Sequence, residues 1–322
     1  MISAEAESDT RDFLAVIGAT KAGTTALHGF LDQHPAIAMS RVKETNHFCQ
    51  DLWPLMPHIP ILGRAGIAGI MAKPHSFHAG IVKDPADYLT LFPRPTTERY
   101  LGEASPFYLR STAAPGALFA RFPRARLILV LRDPIDRARS HHRMEVRNGR
   151  LPSSFSVAVA EELGLSAAGQ RPRHGLIESG CYGLALQRYR SVFPASQMLL
   201  LDLSELKNPK ALGQRLAEFL DIDPLEFGDH LEAANQWGDA RHDRLNRMLA
   251  QFGLKFAIRQ LLPQPLIEAL KPLYYGKPKP SEPLDPELEA RLRRLYREDL
   301  KQLALLTDPS RFPWISRYLS MA

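Results

Sequence analysis

Cysteine is scarce: the 322 residues include two, Cys49 and Cys181. Two thiols cannot build a disulfide framework or a multi-cysteine zinc site, so a reduced, cytoplasmic setting is expected. Long apolar runs are missing too. No window approaches the roughly 20 uninterrupted apolar residues that a membrane helix needs, so no bilayer-spanning segment is expected. The opening residues, Met1 to Thr10, are acidic and polar. They lack the basic, apolar and then small-residue order of a secretion signal. The eleven histidines show no His-Glu-x-x-His spacing, so no metal is expected. No RNA or DNA module and no interleaving of basic with aromatic residues is present, so nucleic acid is not an expected partner. What remains is an ordinary folding composition of 45% hydrophobic and 24% charged residues. The 41 basic and 35 acidic residues leave a net charge of +6, a mild preference for anionic ligands.

Along the chain, Asp12-Phe-Leu-Ala-Val-Ile-Gly18 is a short apolar run ending in glycine, the pattern of a buried parallel strand. Thr24 to Gln33 carries Leu27, Phe30 and Leu31 at helical spacing, and His34-Pro35 stops it. A second strand–turn–helix unit follows Arg126-Leu-Ile-Leu-Val-Leu131, with Arg132-Asp-Pro134 opening a helix expected to reach Asn148. Shorter helices are expected at 87–92, 115–122, 183–193 and 209–220, and strands at 100–103 and 197–202. Alternating strands and helices predict a three-layer, P-loop-like α/β fold with a central, mainly parallel sheet.

A single domain over 1–322 is expected, with 1–11 a flexible N-terminus and 52–83 an irregular insertion or lid. A helical C-terminal extension covers 240–322. Within it Asp285 caps a helix with Pro286 at its first position, and Leu288, Leu292, Leu295, Leu300 and Leu303 line one face. Arg291, Arg293, Arg294 and Arg297 are read as a solvated face. Lys277-Pro-Lys-Pro-Ser-Glu-Pro283 is a stiff connector.

Chemistry concentrates in Gly18-Ala-Thr-Lys21-Ala22-Gly23-Thr24-Thr25. A loop leaving a parallel strand for a helix presents backbone N–H groups, and the helix dipole adds partial positive charge. Glycines at 18 and 23 let the backbone turn tightly and approach an anion. Lys21 adds a full charge, and Thr24 and Thr25 add hydroxyls. The string suits a 5′-phosphate. The P-loop of ATP and GTP enzymes, Gly-x4-Gly-Lys-Ser/Thr, shares the glycine spacing. Here, however, Thr24 stands where that motif has lysine, and the strand at 127–131 ends in Arg132 instead of a metal-holding aspartate.

Gly-x-x-Lys-x-Gly-Thr-Thr at 18–25 resembles the 5′-phosphosulfate loop of sulfotransferases that use 3′-phosphoadenosine 5′-phosphosulfate (PAPS). Leu131-Arg132-Asp-Pro-Ile-Asp-Arg137-Ala-Arg-Ser140 resembles their 3′-phosphate element, and the resemblance makes Arg132 and Ser140 its ligands. Arg137 and Arg139 are either further contacts or surface charges. Gly102-Glu-Ala-Ser-Pro-Phe-Tyr108 is similar to a Gly-Glu-x-Ser-Pro-x-Tyr segment of the carbohydrate-type and bacterial branch. Gly180-Cys-Tyr182 is similar to a Gly-x-Tyr element that flanks the nucleotide, which brings in Tyr182. Residues 12–50 and 98–220 carry the resemblance, and 52–83 hardly any of it.

The resemblance implies transfer of a sulfuryl group from PAPS to a hydroxyl of a glycan, glycolipid or small metabolite. Charge then grows on the bridging oxygen of the leaving nucleotide, and Lys21 is the group to stabilise it. The acceptor must lose a proton. Lys43-Glu44-Thr-Asn46-His47-Phe48 resembles the family's Lys-Glu-x-His-Phe-Phe region, which makes Glu44 the base and Lys43 a second sulfonate contact. Asn46 occupies the family's histidine position, displacing His47 by one, and Ala104 replaces a lysine of heparan-type members. His47, Glu103 and His142 remain reserve bases. Trp53, Trp237 and Trp314 are read as packing residues before sugar platforms. The apolar pieces at 59–62 and 67–71 suggest a lipid acceptor, membrane-surface contact or a packed loop. The alternatives are a P-loop-type nucleotide kinase and a non-catalytic nucleotide-binding protein.

Overall fold

The computed structural model describes residues 11–72, 77–92, 97–228, 230–231 and 284–320. The expected N-terminal arm, the 277–283 connector, most of the C-terminal extension before Leu284, and Trp237 lie outside the described residues.

Strands form where apolar runs are short and unbroken. In chain order they are β1 (Asp12–Gly18), β2 (Ile37–Met39), β3 (Val42–Lys43), β4 (Phe77–His78), β5 (Tyr100–Ala104), β6 (Arg126–Leu131) and β7 (Met198–Asp202). The helices are α1 (Thr24–Leu31), α2 (Arg64–Met71), α3 (Pro85–Leu89), α4 (Ala114–Arg121), α5 (Pro134–Arg147), α6 (Phe155–Ala167), α7 (Tyr182–Arg190), α8 (Pro209–Leu220), α9 (Pro286–Leu306) and α10 (Ser316–Leu319). Phe13 to Gly18 and Leu127 to Leu131 are buried at every position. Successive side chains of a strand point to opposite faces, so the sheet is covered on both, the three-layer α/β arrangement expected.

Two compact units divide the chain. One comprises Met1–Arg132, Cys181–Ala234 and Glu298–Ala322, the other Asp133–Gly180 and Asn235–Arg297. The first holds the five-stranded sheet, ordered β2-β5-β1-β6-β7, with every pairing parallel. The chain leaves β1 toward β2 on one side and leaves β6 toward β7 on the other. Between β1 and β6 the direction of winding reverses, and open parallel sheets bind ligands beyond the carboxyl ends of strands at such a point.

Segment 52–83 is more regular than expected. It contains α2, which buries Ile67 and Ile70 one turn apart, and β4, which pairs with β3 in the register Lys43↔His78. A glycine-rich helix of eight residues and a two-residue strand are too short to leave a periodic signal in sequence.

Toward the C-terminus Asp285 caps α9 by accepting from the Leu288 amide at 3.0 Å. Its buried stripe is Leu292, Tyr296, Leu300 and Leu303. Leu295, expected in that stripe, is exposed, because Tyr296 one position on takes the inward place. Arg291 and Arg294 are exposed, and Arg293 pairs with Glu289 at 2.6 Å. Asp299 on α9 accepts the Gly183 and Leu184 amides at 2.8 and 2.9 Å, capping α7. A Cβ on Gly183 would stand 2.1 Å from the Asp299 carbonyl oxygen, whereas one on Gly29 in α1 would meet nothing within 4 Å. Gly183→Ala should therefore destabilise by about 2 kcal/mol or more. Gly29→Ala should stabilise by roughly 0.5–1 kcal/mol. Urea unfolding of both variants checks the pair, and a Gly183→Ala protein as stable as the parent would contradict this packing.

The second unit contains α5 and α6. No helix is expected from the sequence over α6. Its inward face is Phe155, Ala158, Val159, Glu162 and Leu163, at the spacing of one helical stripe. A buried glutamate and the exposed Val157 and Leu165 disguise that stripe. Glu162 is tolerated inside because it accepts the Leu176 and Ile177 amides, each at 2.8 Å. Arg137 is fully buried. Its guanidinium meets the Leu176 carbonyl and His141 Nδ1, so it is a structural cation and not a surface charge. Arg139 lies over the Phe155 ring.

Candidate functional site

The loop after β1 is built around two glycines. A Cβ on Gly18 would lie 2.7 Å from Leu109 Cβ. Gly23 has φ +88°, and a Cβ there would meet Leu206 and Leu203 at 2.8 and 2.9 Å. Lys21 shares the left-handed region at φ 67°. The Ala19 amide donates to the Val130 carbonyl at 2.8 Å, tying the loop to β6. Gly23 caps α1 without a side chain, and no carboxylate occupies the helix's first turn. The first N–H groups of a helix have no intrahelical acceptor, so their positive end is left for an anion. Ala22 and Thr24 are buried there, and Thr25 is half-buried.

Arg132, immediately beyond β6, donates from Nη1 to the Lys21 carbonyl at 3.3 Å. The Tyr182 hydroxyl, at the start of α7, donates to the Arg132 carbonyl at 2.8 Å, and its ring meets Trp314 edge-on. Trp314 is buried and donates to Asp202 at 2.7 Å, a packing role. The loop lysine, the strand-end arginine and Tyr182 thus converge at the reversal point of the sheet. Ser140 is half-buried on α5 in the other unit. Ammonium, guanidinium and an uncapped helix start form a donor set suited to phosphate oxygens.

Beside β5 a second group assembles. The Glu44 amide donates to the Ala104 carbonyl at 2.9 Å, and Glu44 sits at φ 64°. Lys43 Nζ donates to Glu44 Oε1 at 2.6 Å. Burial alone would raise the Glu44 carboxyl, but Lys43, His78 and Lys21 together hold it below the ordinary range. Their influence places Glu44 within electrostatic reach of the phosphate-type loop. Asn46 donates to the Glu44 and Gly80 carbonyls at 2.9 and 3.1 Å, bracing the strand pair.

Two histidines outside the expected set join this group. His78 Nε2 stands 4.0 Å from Glu44 Oε1. Burial pushes the His78 pKa down, Glu44 opposes, and Lys43 and Lys21 add to the fall. His28 on α1 is buried, its Nε2 has no partner among the described residues, and burial with the Lys43 charge lowers its pKa to about 4. His28 had a legible signal: it lies one turn beyond Thr24 on the face that helical side chains share. For His78 no local signal existed.

The reserve bases are placed otherwise. His47 Nδ1 meets the Val82 carbonyl at 2.6 Å, and its ring stacks on Tyr88 at 4.2 Å between centroids. His142 Nε2 meets the Pro152 carbonyl at 2.8 Å. Glu103 is fully buried and accepts from Thr45 Oγ1 at 2.6 Å. Burial raises its pKa to about 7 against hydrogen bonds from Thr45 and Tyr108. A folded-state pKa above the unfolded one means the native state holds the proton more tightly. The resulting stability is complete below pH 4.5, fades as pH rises and is lost above about 7, about 3 kcal/mol in all. Glu103→Gln should remove that slope and exceed the parent in stability at pH 8. Denaturation across pH 5–8 measures the difference, and parallel curves would contradict a neutral Glu103.

Residues 14–225 match the model of the Sulfotransferase family. The chain is 29% identical over 231 residues to human bifunctional heparan sulfate N-deacetylase/N-sulfotransferase 2, covering 69% of this chain and 23% of that protein. To the mouse N-deacetylase/N-sulfotransferase 1 it is 27% identical over 226 residues, covering 68% and 23%. It therefore spans about a quarter of the length of the curated relatives it matches. Among solved structures, a sulfotransferase from Alicyclobacillus acidocaldarius superposes with a TM-score of 0.61 at 23% identity, over 92% of this chain and 96% of that one. That likeness is one of fold. With the family model matching well over half its length, the chain belongs to the sulfotransferase family.

Proposed function

We propose that this sulfotransferase moves a sulfuryl group directly from PAPS to the hydroxyl of a glycan, glycolipid or small metabolite. The observation that carries the reading is the Arg132 guanidinium resting on the Lys21 carbonyl. It joins the two anion-binding turns, after β1 and β6, closely enough to serve one nucleotide. When bound, PAPS supplies an activated sulfuryl group on a 5′-phosphate leaving group. Gly18, Ala22, Gly23, Thr24 and Thr25 cradle that 5′ end through backbone and hydroxyl donors. Lys21 neutralises the charge that grows on the bridging oxygen as the sulfur–oxygen bond breaks. Arg132 is the 3′-phosphate ligand of this unit, and Tyr182 holds it in place through its carbonyl. Glu44 and Lys43 work on the acceptor side, while His47 packs.

To the acceptor's bulk we assign the cavity of about 320 Å³ lined by Trp53, Met56, Ile59, Ile61, Ile81 and Lys83. Ile61 is 63% exposed at its edge, which favours an acceptor with an apolar portion or contact with a lipid surface. Among the described residues no helix is long and apolar enough to cross a membrane. Cys49 and Cys181 are not joined in a disulfide, which supports a reducing, cytoplasmic setting. The kinase alternative loses ground because Thr24 stands where ATP enzymes place lysine.

Incubation with sulfur-labelled PAPS and fractionated lipids, saccharides and metabolites tests the reading. Label should enter one class of fraction, with 3′-phosphoadenosine 5′-phosphate (PAP) released in equal amount. Turnover of ATP with Mg²⁺ and none of PAPS would refute it.

A further inference from the structure

We propose that His78 receives the acceptor's proton and that Glu44 is the carboxylate positioning it, an assignment that rests on the sulfuryl-transfer reading above. β3 and β4 pair so that Lys43 and His78 are partners in register, which brings His78 Nε2 to 4.0 Å from Glu44 Oε1. The same oxygen already accepts from Lys43 Nζ at 2.6 Å. A carboxylate paired with an ammonium at that distance is stabilised in its charged form, which makes it a weaker proton acceptor. Its pKa accordingly lies below the ordinary carboxylate value of 4.5, far from neutral pH, where a general base works best.

His78 differs in both respects. Its side chain is 63% exposed, against 16% for Glu44, so the ring is the more accessible of the two to an incoming acceptor. Desolvation of the ring, with the Lys43 and Lys21 charges, lowers its pKa from 6.5, and the Glu44 carboxylate opposes that fall. His28, the remaining titratable neighbour, has its pKa at about 4 and stays neutral at pH 7. At neutral pH His78 is therefore unprotonated and open to a proton. A carboxylate beside one ring nitrogen can orient a histidine so that the other nitrogen serves as the base.

The balance is complete without a metal or a redox partner. The acceptor oxygen forms a bond to sulfur. The bridging sulfur–oxygen bond breaks, and its electron pair stays on the 5′-phosphate beside Lys21. The acceptor's proton moves to His78, where Glu44 stabilises the imidazolium until water removes it.

Release of PAP from PAPS with water as the acceptor tests the assignment without knowledge of the natural one. His78→Ala should slow release by about 100-fold, leave PAP affinity at the parent value, and be rescued by added imidazole. Glu44→Gln should move the acid limb of the pH profile to lower pH, because the carboxylate's charge raises the His78 pKa. The His78 ring protons, followed by NMR, should titrate lower by the same amount. A His78→Ala protein as fast as the parent, or a His78 titration indifferent to Glu44→Gln, overturns the assignment alone. A parent protein that releases no PAP overturns the sulfuryl-transfer reading and the assignment with it.

Discussion

Lys21→Ala is expected to slow sulfuryl transfer about 100- to 1,000-fold, the scale on which a single preorganised donor to a developing anion acts. The loop's shape does not depend on the ammonium. Its bend is held by Gly18 and Gly23, by the Ala19 amide on the Val130 carbonyl, and by Arg132 on the backbone oxygen of residue 21. Alanine meets the same left-handed φ of 67° that lysine already occupies, so stability should change little. The charge at stake is made in the transition state, so kcat should fall much further than PAP affinity. Transfer rate, PAP binding and thermal unfolding measured on one preparation separate these effects. Activity near the parent level with the fold intact would remove Lys21 from the chemistry.

The second large effect is expected at Arg132. Arg132→Ala should weaken PAP binding roughly 10- to 100-fold, the 1.5–3 kcal/mol of a hydrogen bond to a charged group. Adenosine 5′-phosphosulfate, which lacks the 3′-phosphate, should lose far less. Some loss common to both nucleotides is built in, because Arg132 also supports the Lys21 carbonyl. Arg132→Lys keeps the charge but not the planar fork and should fall between. Calorimetry with the two nucleotides decides the matter: equal losses would mean that the arginine is a prop for the loop and not a phosphate ligand.

Much of this was legible beforehand for a local reason. β1 and β6 are unbroken apolar runs closed by Gly18 and Arg132, and their bounds are those the sequence implied. The turn at 18–25 carries its chemistry within eight neighbouring residues, so its form followed from glycine, lysine and threonine alone. α6 escaped notice because Glu162 is buried while Val157 and Leu165 are exposed, a reversal that makes sense only once the Leu176 and Ile177 amides are seen to meet the carboxylate. Arg137 was misjudged for the same reason: a guanidinium enters a core only where carbonyl acceptors wait for it.

The order of residues by itself determined an α/β chain with an anion-binding turn after its first strand, since strands, turns and helix starts obey short-range rules. It could not determine what faces Glu44. That was decided by the pairing of β3 with β4, which carries His78 across a long stretch of chain to the carboxylate, and by the sheet order that seats Arg132 against the Lys21 loop. Contacts between residues distant in sequence depend on which strands become neighbours, and register is settled by the packing of the whole sheet.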